Sequence, residues 1–281
     1  LTLFFFRDIT SKLVIVEHSI LSDYLESKRS FKHRVISRLV PFFYKRCDKI
    51  IAVSESVKKN LVEFWDVPPE LVIKIFNPIN VDLILKLADE EITENDFKSK
   101  IHKKMIVNIG RLEVEKNHML LLEAVDVLRY ERNDFTVLII GDGSMRPILA
   151  EYVNSNDLAD YVKFLGYKMN PYKYLKLAHT FVLPSSFEGF GIVLIEALCL
   201  QKNIVSTDIS ASREVLEDQL HGVLCQHTPG SMALALNNSL NVVGQKAASI
   251  SQVEKYTVEI ITDQYIGTFN GILNAENRRS V

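Results

Sequence analysis

Short continuous apolar runs alternate along the chain with longer stretches in which apolar residues recur every three or four positions. The runs predict strands over Leu13–Glu17, Ile50–Val53, Val72–Phe76, Met105–Ile109, Phe135–Gly141, Val162–Phe164, Thr180–Leu183, Asn203–Ser206 and Gly222–Cys225. The periodic stretches predict helices that include Phe31–Cys47, Glu55–Trp65, His118–Arg132, Met145–Ser155, Gly191–Leu200 and Ala211–Glu217. Runs without polar alternation suit strands covered on both faces. Strand–helix alternation then predicts an α/β fold of parallel, doubly wound sheets.

The least apolar stretch, Asp89–Lys104, contains no convincing strand and follows the turn-like Asn77-Pro78-Ile79-Asn80. It predicts a domain boundary. Residues 1–82 then form a Rossmann-like acceptor-side piece, 83–104 a linker and 105–256 a complete Rossmann-like domain. Residues 257–281 form a C-terminal helix, with the option of crossing back to the first domain, and a tail. Only two or three strands can be read before Asn77, and Leu3-Phe4-Phe5-Phe6 followed by Arg7-Asp8 resembles the interior of a fold. The expectation is a first domain that lacks its opening strands.

Apolar residues make up 47% of the chain and charged residues 24%, which places it among globular proteins with a sizeable core. A formal net charge of −2 excludes a chain that is basic overall and drawn to nucleic acid by bulk charge. Cys47, Cys199 and Cys225 are odd in number, far apart and form no C-x-x-C pair, so they read as reduced structural cysteines in the cytoplasm. No apolar run is long enough to span a bilayer.

Candidate chemistry gathers at strand ends. Phe187-Glu188-Gly189-Phe190-Gly191 follows the run Phe181–Pro184 and opens the helix around Ile192. A strand, a glycine turn and a helix N-terminus make an anion site, with the amides of Phe190, Gly191 and Ile192 aimed outward. The following helix is apolar all round except at Glu196. A buried carboxylate needs partners, and a ribose diol supplies two donors. The alternative is a neighbouring backbone cap or a buried cation.

Arg111 and Lys116 lie in Gly110-Arg111-Leu112-Glu113-Val114-Glu115-Lys116-Asn117, at the carboxyl end of the strand Met105–Ile109. Ligands of open α/β sheets bind at that edge, and two cations there suit a diphosphate. The alternative is surface pairing with Glu113 and Glu115. Asn117 suits the N-cap of the next helix. Gly141-Asp142-Gly143 and Phe164-Leu165-Gly166-Tyr167 end two more strands on the same edge. They read as simple turns, or as the lining of a base pocket.

In order, G-R-x4-K-N, G-D-G, F-L-G and P-S-x-F-E-G-F-G-x4-E-A resemble glycosyltransferase family 4, retaining enzymes with the two-Rossmann GT-B fold. The resemblance covers the chain from about Leu13 onward. It implies that Arg111 and Lys116 hold the donor diphosphate and stabilise the leaving charge. It gives Glu196 the ribose hydroxyls, Glu188 a place beside the transferred sugar, and Phe190–Ile192 the donor cradle. Gly143 and Leu165 fall among its donor-binding positions. His18, in Glu17-His18-Ser19 after a strand, resembles the family's histidine next to the reacting sugar; the alternative is a loop or capping residue. Ala52–Ser56 and Phe76–Asn80 resemble the family's crossover markers. Asp208–Glu214 departs from a loop that is usually richer in glycine or proline, and the family's first glycine-rich loop has no counterpart here. No Asp-x-Asp occurs, in keeping with the family's metal-independent handling of the diphosphate, so no cofactor or metal is expected.

Lys28–Lys49 concentrates basic residues around an apolar stripe, with Asp48 its single acid. A basic amphipathic helix of this kind suits an anionic membrane surface; the alternative is an ordinary solvated face. The sequence therefore predicts transfer of a hexose or N-acetylhexosamine from a nucleotide diphosphate sugar, UDP being the expected carrier. The predicted acceptor is a glycan or lipid-linked sugar, in cell-surface glycan synthesis, and the expected location is the cytoplasm, with the option of peripheral contact at the inner face of the cytoplasmic membrane. No nucleic-acid partner is expected. A truncated, non-catalytic nucleotide-sugar-binding protein is the competing reading.

Overall fold

A computed structural model describes residues 12–23, 39–92, 104–217, 220–242 and 252–277. Leu3–Phe6, residues 28–38 of the basic stretch and residues 93–103 of the expected linker lie outside the described residues. The chain divides into two compact units, Leu1–Pro78 with Lys255–Val281, and Ile79–Glu254.

In the first unit, β1 (Val14–Glu17), β2 (Lys49–Ala52) and β3 (Val72–Lys74) form a parallel sheet in the order β1-β2-β3. Helix α1 (Glu55–Lys59) follows β2; the Ser54 hydroxyl caps it by accepting the Val57 amide at 3.2 Å. The helical path continues as a π-turn over Asn60–Phe64, where one helix was expected up to Trp65.

The second unit opens with α2 (Val81–Ala88), capped by the Asn80 side chain, which accepts the Leu83 amide at 2.9 Å. The stretch read as the start of a linker is therefore helical. Helix α2 packs within the second unit, and Asn170 bonds the Leu87 carbonyl at 2.8 Å. There follow β4 (Lys104–Ile109), α3 (His118–Leu128), β5 (Phe135–Ile140), α4 (Arg146–Ser155), β6 (Val162–Gly166) and α5 (Tyr172–Leu177). The unit ends with β7 (Thr180–Leu183), α6 (Ile192–Cys199), β8 (Asn203–Thr207), α7 (Ser210–Val215), β9 (Val223–Cys225) and α8 (Pro229–Asn241). All six strands are parallel, in the order β6-β5-β4-β7-β8-β9. Strands β5 and β7 are buried along their full length, which explains why their residues read as unbroken apolar runs.

Helix α9 (Val258–Asn277) belongs to the first unit. Its Ile261 packs with Ile51 and Ile75 in a core flanked by Val14, Val16, Ile73, Phe76 and Tyr265. Deleting the Ile261 side chain leaves a cavity in this small core. We expect Ile261→Ala to destabilise the first unit by about 2–5 kcal/mol. The chain's single tryptophan, Trp65, is buried in this unit and reports on it selectively. A urea titration followed by its fluorescence should shift to lower denaturant, and an unchanged midpoint would show that α9 does not complete this core.

Candidate active site

The order of the larger sheet reverses between β4 and β7: β5 and β6 lie to one side, β8 and β9 to the other. Loops leaving the carboxyl ends of such strands diverge and open a crevice. Here those loops carry Arg111 and Lys116 after β4, and Glu188 after β7. They are joined twice. The Lys116 ammonium donates to Glu188 Oε1 at 2.6 Å, and the Ser186 amide donates to the Glu115 carbonyl at 2.8 Å. The ion pair is partly sheltered from water, the Lys116 and Glu188 side chains being 21% and 11% exposed.

Arg111 stands in a different environment. Its side chain is 72% exposed and meets Glu115 four residues on, at 3.2 Å. An exposed pair of that kind is worth about 0.3–0.5 kcal/mol, so the guanidinium exchanges partners at little cost. Surface pairing of both cations with Glu113 and Glu115 is therefore realised for Arg111 alone. Glu113 instead accepts from the Ser144 amide at 3.1 Å and its hydroxyl at 2.7 Å.

The position of Lys116 depends on the chain just behind it. Residues Val114–Lys116 form a single 3-10 turn, and Asn117 takes left-handed geometry with φ 47°. Asn117 is the N-cap of α3 by position, but its side chain makes no capping bond. His118 is buried, and its Nε2 meets Asn108 Oδ1 at 2.8 Å, while Asn108 donates to the Val182 carbonyl at 3.0 Å. Because Asn108 Oδ1 accepts, the bond assigns the proton to Nε2. Burial, and then the Lys116 charge, push the His118 pKa down to about 4, so the ring is neutral at ordinary pH.

Gly191 caps α6 with φ 76°, and no side chain caps the helix start. That φ is what makes glycine the favoured residue there. Phe190 beside it is buried and Ile192 is exposed. Further along the helix, Glu196 accepts a hydrogen bond from the Tyr172 hydroxyl at 2.9 Å. Burial raises the Glu196 pKa, and the Tyr172 bond partly offsets this. Its own burial, and then the same carboxylate, push Cys199 up to about 12. Tyr172 was not foreseen. The apolar helix showed only that Glu196 needs a partner, and nothing local pairs it with a residue 24 positions earlier.

Gly141 and Gly143 are required by close backbone approach. A Cβ on Gly141 would stand 1.9 Å from the Gly110 carbonyl oxygen, and one on Gly143 would stand 2.5 Å from that of Leu112. The Leu112 amide donates to the Asp142 carbonyl at 2.9 Å, which fastens the G-D-G turn to the Arg111 loop. Leu165 lies in β6, and the Gly166 carbonyl accepts the Gly141 amide at 2.9 Å. These positions build one continuous edge beside the crevice. The Asp208 loop is held by a two-pronged Arg213 pair at 2.5 and 2.7 Å. His18 belongs to the other unit, just past β1. The turn that carries it is fixed by Glu17, which accepts from the Ser19 amide and hydroxyl and from the Tyr44 hydroxyl, at 3.1, 2.8 and 2.5 Å.

Three measurements check this electrostatic picture. A carboxyl whose folded pKa is raised contributes stability that is present at low pH and lost as pH rises through that value. Glu196→Gln, which keeps an acceptor for Tyr172, should therefore be more stable than wild type at pH 8, with the difference vanishing near pH 4. Tyr172→Phe should cost about 1–3 kcal/mol in urea unfolding at neutral pH. His118 has the opposite sign. Its depressed pKa makes stability fall as pH drops from 6.5 towards 4, by about 3 kcal/mol across the window. His118→Asn should flatten that slope, and an unchanged slope would contradict the buried neutral ring.

A family model for glycosyl transferases group 1 matches residues 89–248, and one for glycosyltransferase family 4 matches residues 7–83. The chain is 32% identical over 200 residues to an N-acetylgalactosamine-N,N'-diacetylbacillosaminyl-diphospho-undecaprenol 4-alpha-N-acetylgalactosaminyltransferase of Campylobacter jejuni, covering 71% of this chain and 52% of that one. It is 27% identical over 203 residues to the poly(ribitol-phosphate) alpha-N-acetylglucosaminyltransferase of Staphylococcus aureus, covering 70% and 41%. The chain thus spans about half the length of the curated relatives it matches. Among solved structures, HepE of Anabaena in complex with UDP superposes with a TM-score of 0.78 at 19% identity, covering 92% of this chain and 72% of that one. That likeness places the fold among the GT-B glycosyltransferases. Motifs, strand order and family models agree, and the chain belongs to the glycosyl transferases group 1 family.

Proposed function

We propose that the protein transfers a hexose or N-acetylhexosamine from a nucleotide diphosphate sugar, with UDP as carrier, to a glycan or lipid-linked acceptor, with retention of configuration. The observation that carries this reading is the meeting of the Lys116 and Glu188 loops where the strand order reverses. Arg111 and Lys116 take the diphosphate, standing where other transferases use a metal, so the reaction proceeds without a divalent cation. The amides at Phe190–Ile192 cradle the donor. Glu196 binds the ribose hydroxyls, Glu188 faces the transferred sugar, Gly143 and Leu165 border the base, and His18 stands beside the reacting sugar.

Relatives named as transferases favour catalysis over a non-catalytic nucleotide-sugar-binding role. Two are named for undecaprenol-linked and poly(ribitol-phosphate) substrates, which supports a lipid-linked or cell-surface glycan acceptor. Among the described residues no helix is long and apolar enough to cross a membrane. Peripheral contact at the cytoplasmic face through Lys28–Lys49 fits such an acceptor. Of that stretch, residues 39–44 are helical and expose Leu39 and Phe42, with the Arg46 guanidinium over the Phe42 ring.

The test is a thermal-shift and calorimetric panel of nucleotides and nucleotide sugars, followed by transfer assays. UDP should stabilise the chain. Glu196→Ala should weaken UDP at least about ten-fold, as expected for loss of charge-assisted hydrogen bonds, whereas Glu188→Ala should suppress transfer without weakening UDP, since it frees Lys116 for the phosphates. Activity should survive chelator, with a retained anomer by NMR. No shift with any nucleotide, or an inverted product, would overturn the reading.

A further inference from the structure

Behind Glu188 lies a buried set of hydroxyls; Ser185 falls within the motif P-S-x-F-E-G-F-G without a role assigned to it, and the others lie outside the donor-site motifs. Ser185, Ser206, Thr207 and Ser212 are all fully buried at the carboxyl ends of β7 and β8 and the start of α7. A buried hydroxyl is costly unless it is bonded, and each of these is. Thr207 Oγ1 donates to the Ser185 carbonyl at 2.6 Å. Ser206 and Ser212 share a bond of 2.7 Å, and Ser206 also reaches the Leu183 carbonyl at 3.3 Å. Ser185 Oγ, in turn, donates to Glu188 Oε1 at 2.7 Å. Strand β8 thus fixes the Ser185 backbone from behind, and Ser185 fixes the carboxylate in front.

Both donors to Glu188 fall on one oxygen. Lys116 Nζ and the Ser185 hydroxyl both meet Oε1. The two donors differ in permanence. Lys116 sits on a loop beside Arg111 and is also the cation a diphosphate would recruit, so its bond to Glu188 weakens when phosphate enters. Ser185 is neutral and fully buried, and its backbone is held through its own carbonyl, so an incoming phosphate does not compete for it as it does for a cation.

We propose that Ser185, backed by Thr207, is the positioning residue that keeps Glu188 aimed at the donor sugar once Lys116 is taken up by phosphate. This rests on the donor-site reading of Glu188 and Lys116 given above. Ser185 touches no substrate in this scheme; it acts through Glu188. A hydrogen bond to a charged group, removed from a buried site, predicts a loss concentrated in the step that involves the sugar. It predicts little change in binding of the nucleotide portion.

The experiment measures UDP release from UDP-glucose, UDP-N-acetylglucosamine and UDP-N-acetylgalactosamine, with water as acceptor, alongside calorimetric UDP affinity. The variants are Ser185→Ala, Ser185→Thr and Thr207→Val. Ser185→Ala should lower kcat by about ten- to a hundred-fold, with KM for the donor and UDP affinity within about two-fold. Ser185→Thr, which keeps the hydroxyl, should recover much of the rate, and Thr207→Val should show a smaller loss of the same kind. If Ser185→Ala fails to fold, the Thr207→Val and Ser185→Thr pair decides: wild-type kcat in Thr207→Val would overturn the proposal. Wild-type kcat in a folded Ser185→Ala, or equal losses of kcat and UDP affinity, would overturn it too. A wild-type chain that neither binds UDP nor releases it from any of the three donors would defeat the donor-site reading itself, and this proposal with it.

Discussion

Lys116 and Glu188 lie 72 residues apart in sequence and meet at 2.6 Å across the point where the larger sheet changes direction. That contact depends on β4 and β7 being neighbours, as they are in the order β6-β5-β4-β7-β8-β9. It also requires two loops to hold charged groups in a partly dry crevice. The Ser186 to Glu115 backbone bond, the buried Asn108–His118 pair and the hydroxyls behind Ser185 all serve that requirement. An ion pair of this kind binds its loops together in the free protein, and it also stores one cation and one carboxylate where a charged ligand can recruit them. Removing either partner would leave the other charge partly buried, a costlier outcome than losing the pair together.

The same crevice shows how burial tunes its charges. Glu196 sits on a helix whose other faces are apolar, so water is largely excluded and its proton is held more tightly. A single hydroxyl from Tyr172 offsets part of that cost. A ligand diol would offset more, since a carboxylate has about four lone-pair sites to satisfy. Arg111, exposed and weakly paired, represents the opposite regime: a cation kept available because little holds it.

Most of the framework was legible because β strands covered on both faces must be continuously apolar. All nine expected strands form, with ends shifted by one or two residues at most. Helix α2 was missed because Asn80 was read as part of a turn, whereas its side chain caps the next helix. Proximity to the polar stretch 89–104 made the whole region look like linker. Helix α8 was also passed over, although Thr228 and Pro229 form a good helix start, with Thr228 accepting the Ser231 amide. Within the site, residue types and their strand-end placement were legible from the motifs. The partners were less so: Tyr172 for Glu196, Thr207 behind Ser185 and Asn108 for His118 are joined by the fold, whereas Ser185 stands three residues before Glu188 in the motif, which does not show that its hydroxyl turns to the carboxylate. Gly141 and Gly143 looked like a simple turn, since the backbone that forbids a side chain there is that of Gly110 and Leu112, in the loop after β4.

The most direct test is a crystal structure of this chain with UDP bound. The account predicts phosphate oxygens about 3 Å from Lys116 Nζ and the Arg111 guanidinium, and ribose hydroxyls on Glu196. It also predicts that Lys116 has loosened from Glu188 while Ser185 still bonds that carboxylate. UDP bound away from the carboxyl ends of β4 and β7, with the Lys116–Glu188 pair intact, would contradict it.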